Sequence, residues 1–417
     1  MTRKPRLHIP LPPARPGADP DFSYIDIVAA GAIGRPDPHT RIRDLSNDLI
    51  YSMVRVLDDD GVATGPWDPQ LDPEQLIFGL RHMIETRLYD NHMLRMQRQG
   101  KISFYMKSRG EEAVSVAAAM ALKPSDMLFP SYRVQGLQIA RGRNLVDLMC
   151  QCLSNSKDMC KGRQMPVMYH WKRGNIFGIS GNLTTQYPNA VGWAMAAAIK
   201  GEDDVAAAWI GEGSSAEADF HHAMTFASVY RAPVIMNIVN NQYAISTFQG
   251  TAGGEHRPFA ARGPGYGVPG IRVDGNDFLA VYAVTQWAAE RARLGTGPTL
   301  IELLTYRVDA HSTSDDPSRY RPKNEPEMWP YGDPVERLKT HLIKFGQWSE
   351  SQHAALIEET QKQVDAEWRQ ALSYGTMSEG PFLDKNELFE DVYVDMPNHL
   401  ILQREQMLEL DDEREGH

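Results

Sequence analysis

Short apolar runs bounded by glycine, proline or asparagine recur along the chain. They alternate with longer stretches whose apolar residues fall at helical spacing. Val205 to Ile210 and Val234 to Val239 are two such runs. Continuous runs of this length fit strands covered on both faces, as in a parallel sheet. Between them lie Gly211-Glu212-Gly213 and a helical pattern to about Tyr230, stopped by Arg231-Ala232-Pro233. Ser214 and Glu217 have the spacing of a capping box for that helix. The unit reads strand–helix–strand and ends in Asn240-Asn241-Gln242-Tyr243.

The same reading extends in both directions. Asp72 and Pro73 open a helix with a cap and a proline at its first position; Gln99-Gly100 ends it. A helix over 113–122, a short strand at Met127–Phe129 and a helix over 145–153 follow. Residues 154–186 form a long irregular loop, and loops of that length inside a compact domain are usually functional. Helix 186–200 ends at Gly201. After a glycine-rich loop at 253–270 come a strand at 271–273, a helix over 277–293 and a strand over 298–307. That strand leads into the polar loop 308–316. Residues 333–346 and 350–375 read as surface helices, and the chain from Asp391 on as acidic and less regular.

The first 70 residues differ. Pro5, Pro10, Pro12, Pro13, Pro16 and Pro20 favour extended conformations over helix. Recurring aromatic and aliphatic residues suggest an arm that packs on a surface, including that of another subunit. The organisation expected is therefore an arm at 1–70, an α/β domain at 71–330 and a helical region at 331–417.

Composition narrows the class. The chain has 417 residues, of which 42% are hydrophobic and 23% charged, as in a soluble globular protein. A net charge of −11 argues against non-specific nucleic-acid binding. Cys150, Cys152 and Cys160 fit neither a disulfide framework nor a common zinc spacing. No run of 18 apolar residues spans a membrane, and the first residues lack an apolar signal core, so a cytoplasmic protein is expected.

Candidate chemistry collects at the strand ends, where open α/β sheets bind ligands. Gly211 and Gly213 let backbone approach a ligand closely, and a helix N-terminus suits phosphate. Glu212 is a hard anionic ligand. Asn241, 29 residues later, offers a neutral oxygen. With the Tyr243 carbonyl they supply three of the six oxygens that magnesium takes, and a diphosphate supplies two more. Arg133, beside Tyr132 at another strand end, matches phosphate oxygens as a fork. Ser180, Asn182, Thr185 and Gln186 either bind a monovalent cation or cap the helix that follows. Leu183 among them reads equally as core. His311 lies in the loop after the last strand, at the same edge, and suits charge stabilisation or proton relay.

With those residues in hand, the GEG…NN spacing resembles a thiamine diphosphate motif. From about residue 75 to 330 the chain resembles the alpha subunit of the decarboxylating component of 2-oxo acid dehydrogenases, closest to the branched-chain (2-oxoisovalerate) type. ISFYMKSRGEEA at 102–113, KGRQMPV at 161–167 and ARGPGYGV at 261–268 carry that likeness. So do RVDGND at 272–277 and YRVDAHSTSDDPSRYR at 306–321.

The resemblance implies the thiamine diphosphate-binding fold, with a parallel sheet and helices on both faces. It implies thiamine diphosphate and magnesium, the metal held by Glu212, Asn241 and Tyr243. Tyr132, Arg133, Gly181, Gly211, Gly213, Ser214, Ala244 and Ile245 are expected around the cofactor, and Leu183 as the apolar wedge beneath it. Ser180, Asn182, Thr185 and Gln186 match a potassium site. His311 matches the active-site histidine, and Phe104, Tyr105 and Met106 the acyl pocket. Met106 replaces the histidine of pyruvate-specific relatives and suits a branched aliphatic chain. Val239 replaces an arginine, which leaves more of the phosphate binding to Arg133. Ser312 matches a serine phosphorylated in animal relatives.

The expected reaction is decarboxylation of a branched 2-oxo acid and transfer of the acyl group to the lipoyl arm of a partner acyltransferase. The carboxylate that activates the cofactor is missing, so the resemblance implies a beta partner in an α2β2 heterotetramer. The competing readings are a pyruvate or acetoin dehydrogenase alpha subunit and an inactive cofactor-binding scaffold.

Overall fold

Five parallel strands form the centre of the molecule, a computed structural model that describes residues 7–415. They are β1 (Met127–Phe129), β2 (Ala206–Gly211), β3 (Val234–Asn240), β6 (Gly270–Asp274) and β7 (Thr299–Leu304), in the order β1-β2-β3-β7-β6. A two-residue hairpin, β4 (Tyr243–Ala244) with β5 (Thr247–Phe248), projects beyond the end of β3. The last strand is shorter than its apolar run suggests.

The strands lack polar alternation because both faces are covered. Ala207, Trp209, Ile235, Ile301 and Leu303 pack on one side with the Pro73–Arg98, Glu112–Ala121 and Phe278–Arg293 helices. Their sequence neighbours Ala208, Ile210, Met236, Ile238 and Leu300 pack on the other with Gln186–Lys200 and Ala218–Tyr230. Alternate residues thus enter different cores, as the pleat requires. The α/β fold with helices on both faces is the one observed.

Local signals set the helix ends. Asp72 and Gln75 form a reciprocal capping box ahead of Pro73. Asn144 caps Leu145–Leu153 and Asp277 caps Phe278–Arg293. Gly201 closes Gln186–Lys200 at φ 77°, and Arg231 closes Ala218–Tyr230 at φ 48°.

Two expectations are corrected. Ser214 and Glu217 form no capping box. Gly213–Ala216 is a tight 3₁₀ turn, and the helix starts only at Ala218, with Glu217 as an N-cap whose side chain makes no cap bond. The Ser214 carbonyl is instead held by the Thr184 hydroxyl at 2.7 Å. The second correction is at the C-terminus, where Asn398–Glu415 is helical.

The arm is mostly irregular, with turns and two short helical pieces at Ile42–Asp44 and Asp48–Tyr51, and Pro5 lies outside the described residues. Near its start His8 Nε2 lies 2.8 Å from a Glu255 carboxylate oxygen. From Leu49 to Trp67 it joins this chain's own core, with Val54, Val56, Leu57 and Trp67 buried beside the helices. Val54 bridges in parallel to Val273, so the arm continues the sheet past β6. Further on, Glu350–Leu372 packs on Leu145–Leu153 and closes a second core. The three cysteines are buried and free, and burial raises all three thiols. No helix among the described residues is long and apolar enough to cross a membrane.

Asp277 ties the arm to the sheet. One carboxylate oxygen accepts from the Val56 and Leu57 amides at 2.8 and 2.7 Å, and the other caps the helix at Ala280. Asp277→Ala strands these buried donors at about 1–3 kcal/mol each. It is expected to lower the thermal midpoint by several degrees in calorimetry. Asp59→Ala, at an exposed side chain, should leave the midpoint nearly unchanged.

Candidate functional site

A cavity of about 510 Å³ opens where β2 and β3 end. The two strands run in register, Gly211 opposite Val239, so Glu212 and Asn241 emerge side by side at the carboxyl edge. Gly211, Glu212, Gly213 and Ser214 form one wall, and Asn241, Tyr243, Ala244 and Ile245 the adjoining one. Gly213 is required there, because a Cβ would lie 2.5 Å from that of Ala244. At Gly211 and Gly181 a Cβ would meet nothing, which leaves both edges open to a ligand.

Among the cavity-lining residues two buried oxygens are orphaned. Glu212 Oε1 and Asn241 Oδ1 are buried and accept no hydrogen bond. Buried polar atoms are nearly always paired, so these two suit a hard cation. Burial pushes the Glu212 carboxyl up to about 7. Asn241 is oriented through its other end, Nδ2 donating to Glu111 Oε1 at 2.8 Å. No group of three or more His, Cys, Asp or Glu among the described residues could hold a metal. A cation here would take one carboxylate, neutral oxygens and its ligand's phosphates, as magnesium does. The residues present fit the metal and the diphosphate.

The Tyr243 carbonyl is not free. Arg307 Nη1 donates to it at 2.6 Å, and Nη2 donates to the Ile245 carbonyl at 2.8 Å. A carbonyl has two lone pairs, so one remains for a metal. The Tyr243 hydroxyl donates away from the cavity, to Glu325.

Arg133, buried in the cavity wall beside Tyr132 and His311, donates to the Lys107 carbonyl and, at 2.6 Å, to the His311 carbonyl. Glu111 Oε1 lies 3.7 Å from its Nε. His311 Nδ1 stands 3.3 Å from Arg133 and 3.4 Å from Arg307. Burial first, then the two guanidiniums, hold this imidazole neutral, with its pKa lowered to about 2. Nδ1 faces two donors and therefore accepts, which assigns the proton to Nε2. Tyr132 stacks edge-on against the ring at 5.9 Å.

Phe104 and Met106 line the cavity, together with Leu183, which is 46% exposed. Tyr105 does not, contrary to expectation. The segment is extended, so the middle residue points the other way, and its hydroxyl donates to buried Asp90 at 2.7 Å. Ser180, Asn182, Thr185 and Gln186 lie outside the cavity lining. The Ser180 hydroxyl accepts from the Asn182 amide, Thr185 donates to the Asn182 carbonyl and Gln186 donates to the Trp209 carbonyl. Gln186 Oε1 is also buried without a hydrogen-bond partner, as are oxygens elsewhere in the core such as Asn237 Oδ1.

The sequence reading missed several residues of the site, four of which shape it most. Glu111 and Arg307 orient the Asn241 side chain and the Tyr243 carbonyl, and Met165 and Met168 add apolar wall. The signal for Glu111 is a pair of acids opening an alanine-rich helix that must be buried. The signal for Arg307 is its place just past β7, beside β3 in the sheet.

Known proteins resemble this chain over most of its length. Residues 80–378 match the family model "Dehydrogenase E1 component", and residues 3–41 match "2-oxoisovalerate dehydrogenase E1 alpha subunit N terminal". The chain is 55% identical over 402 residues to the 2-oxoisovalerate dehydrogenase subunit alpha of Pseudomonas aeruginosa, covering 96% of this chain and 98% of that one. It is 40% identical over 362 residues to the mitochondrial 2-oxoisovalerate dehydrogenase subunits alpha of Dictyostelium discoideum and of Homo sapiens. Each match covers 85% of this chain and 79% of the relative. With a family model spanning well over half its residues and relatives of this identity along most of its length, the chain belongs to the dehydrogenase E1 component family.

Proposed function

We propose that this chain is the alpha subunit of a branched-chain 2-oxo acid dehydrogenase, a thiamine diphosphate-dependent oxidoreductase acting on 2-oxoisovalerate and its branched relatives. The observation that carries the reading is the pair of orphaned oxygens on Glu212 and Asn241, above a cavity walled on one side by Phe104, Met106 and Leu183.

In this reading Glu212, Asn241 and the Tyr243 carbonyl hold magnesium. Arg133 and the amides of Gly213 and Ser214 receive the diphosphate, with Tyr132, Gly181, Gly211, Ala244 and Ile245 around it and Leu183 as apolar support. The Ser180, Asn182, Thr185 and Gln186 loop holds potassium, and the orphaned Gln186 Oε1 supports that assignment. When bound, the cofactor supplies a nucleophilic carbon and an electron sink for decarboxylation. This chain's residues then act by position. Phe104 and Met106 receive the aliphatic side chain and exclude water. His311, neutral and protonated on Nε2, donates to a developing negative charge and relays a proton. Arg307 keeps His311 and the Tyr243 carbonyl in register.

The described residues form one cofactor-binding module, and in this reading a beta subunit completes the site in an α2β2 assembly. The acyl group passes to a lipoyl arm on a partner acyltransferase. The apolar rim supports a covering partner: Ile245 is 53% and Met165 54% exposed.

The test is carbon dioxide release from 3-methyl-2-oxobutanoate by the chain coexpressed with a beta partner. Release is expected to need both chains, thiamine diphosphate and magnesium. Release by this chain alone, or none from a cofactor-loaded complex, would overturn the reading. Glu212→Ala should abolish release and weaken magnesium binding at least tenfold by titration calorimetry. Arg307→Met frees the Tyr243 and Ile245 carbonyls and His311 at once, and kcat is expected to fall at least a hundredfold, with cofactor affinity also reduced. Met106→His should lower kcat/KM for 3-methyl-2-oxobutanoate relative to pyruvate by about tenfold, the scale of a lost apolar contact.

A further inference from the structure

Behind the cavity wall sits a buried carboxylate that forms no salt bridge among the described residues. Asp90, on the Pro73–Arg98 helix, is 1% exposed. It accepts from the Tyr105 hydroxyl at 2.7 Å, the Ser108 amide at 2.6 Å, the Ser108 hydroxyl at 2.7 Å and Gln135 Nε2 at 3.0 Å. Lys107, on the same segment as Tyr105 and Ser108, turns instead to Asp309 at 2.7 Å. Four donors satisfy one buried charge. Three of them belong to the short segment that carries Phe104 and Met106. The fourth, Gln135 Nε2, also donates to the Met106 carbonyl at 3.0 Å. The segment is thus held at 105, 106 and 108, and its two cavity-facing side chains have little freedom to shift.

The hold extends to the histidine loop. Tyr105 and Thr313 bond reciprocally, the Thr313 amide donating to the Tyr105 carbonyl at 3.1 Å and the Tyr105 amide to the Thr313 hydroxyl at 3.2 Å. Thr313 lies two residues beyond His311. The Tyr105 ring packs edge-on against Tyr89, whose hydroxyl pairs with Tyr169 at 2.9 Å. The hydroxyl on Asp90 therefore fixes the depth of the acyl wall and its registry with the histidine loop.

We propose that Asp90 is a positioning residue that sets substrate selectivity through Tyr105 and Ser108, holding Phe104 and Met106 at the spacing a branched acyl chain needs. The proposal rests on the function given above, but only for the identity of the substrate. Tyr105→Phe removes one hydroxyl from the network and keeps the ring. In the assembled α and β complex it should raise KM for 3-methyl-2-oxobutanoate about three- to tenfold, the size of one hydrogen bond. It should change kcat less, and shift the ratio of kcat/KM values toward straight-chain 2-oxobutanoate. Asp90→Asn, which replaces an acceptor by a donor facing Ser108, should shift the ratio further in the same direction. If Asp90→Asn fails to assemble, Tyr105→Phe and Ser108→Ala carry the test.

An unchanged ratio in assembled variants would overturn the proposal. So would a fall in kcat for both substrates in parallel, with KM unchanged, which is what a purely structural role gives. Wild-type turnover separates the two claims. If the wild type does not use 3-methyl-2-oxobutanoate, the substrate reading fails, and the KM change is measured on the 2-oxo acid it does use.

Discussion

Two buried guanidiniums hold the site together. At the carboxyl edge of a parallel sheet the chain leaves the ladder, and its carbonyls must find other donors. Arg133 takes the carbonyls of Lys107 and His311, and Arg307 takes those of Tyr243 and Ile245. Three segments far apart in sequence are thereby fixed relative to one another. The cost is two buried cations, offset by Glu111 beside Arg133 and by the carbonyl dipoles. The same arrangement sets the chemistry, since burial, reinforced by two guanidiniums facing Nδ1, keeps His311 neutral, and those donors leave its other nitrogen to carry the proton.

How much of this the sequence reveals depends on the range of the forces involved. The strands, the Asp72 cap and the Gly201 stop are legible because each rests on a few neighbouring residues. The GEG turn and NN pair are legible because β2 and β3 are consecutive and adjacent. The capping box at Ser214 fails because Gly213–Ala216 winds as a 3₁₀ turn, in which the Glu217 amide donates to the Ser214 carbonyl rather than to its hydroxyl. The Asn398–Glu415 helix escapes notice because its apolar residues form no stripe. Tyr105 is misplaced by reading FYM as one surface, when the extended backbone sends its middle side chain to Asp90. Glu111 and Arg307 look like ordinary surface charges until the topology brings Gly110 against Tyr306. There a Cβ on Gly110 would sit 2.2 Å from the Tyr306 carbonyl.

The backbone around the cavity is under strain. Val167, Thr184 and Ile245, all β-branched, adopt φ of 69°, 71° and 56°, and Gln242, between the two expected metal ligands, adopts 79°. Such residues cost on the order of 1–3 kcal/mol each where the surroundings impose them. Those surroundings are identifiable. The Gln242 side chain donates to the Asn240 and Thr305 carbonyls and accepts from Tyr24 and Gln249. Thr184 is pinned to Ser214, and Arg307 holds the Ile245 carbonyl. The conformations that aim Asn241 and the Tyr243 carbonyl at one point are thus maintained by a network that reaches the arm at Tyr24. A chain selected for stability alone would place glycine at these positions. Val167 and Thr184 are fully buried, so this chain's own packing imposes their conformation, whereas Ile245 is half-exposed at the rim and is held through its carbonyl.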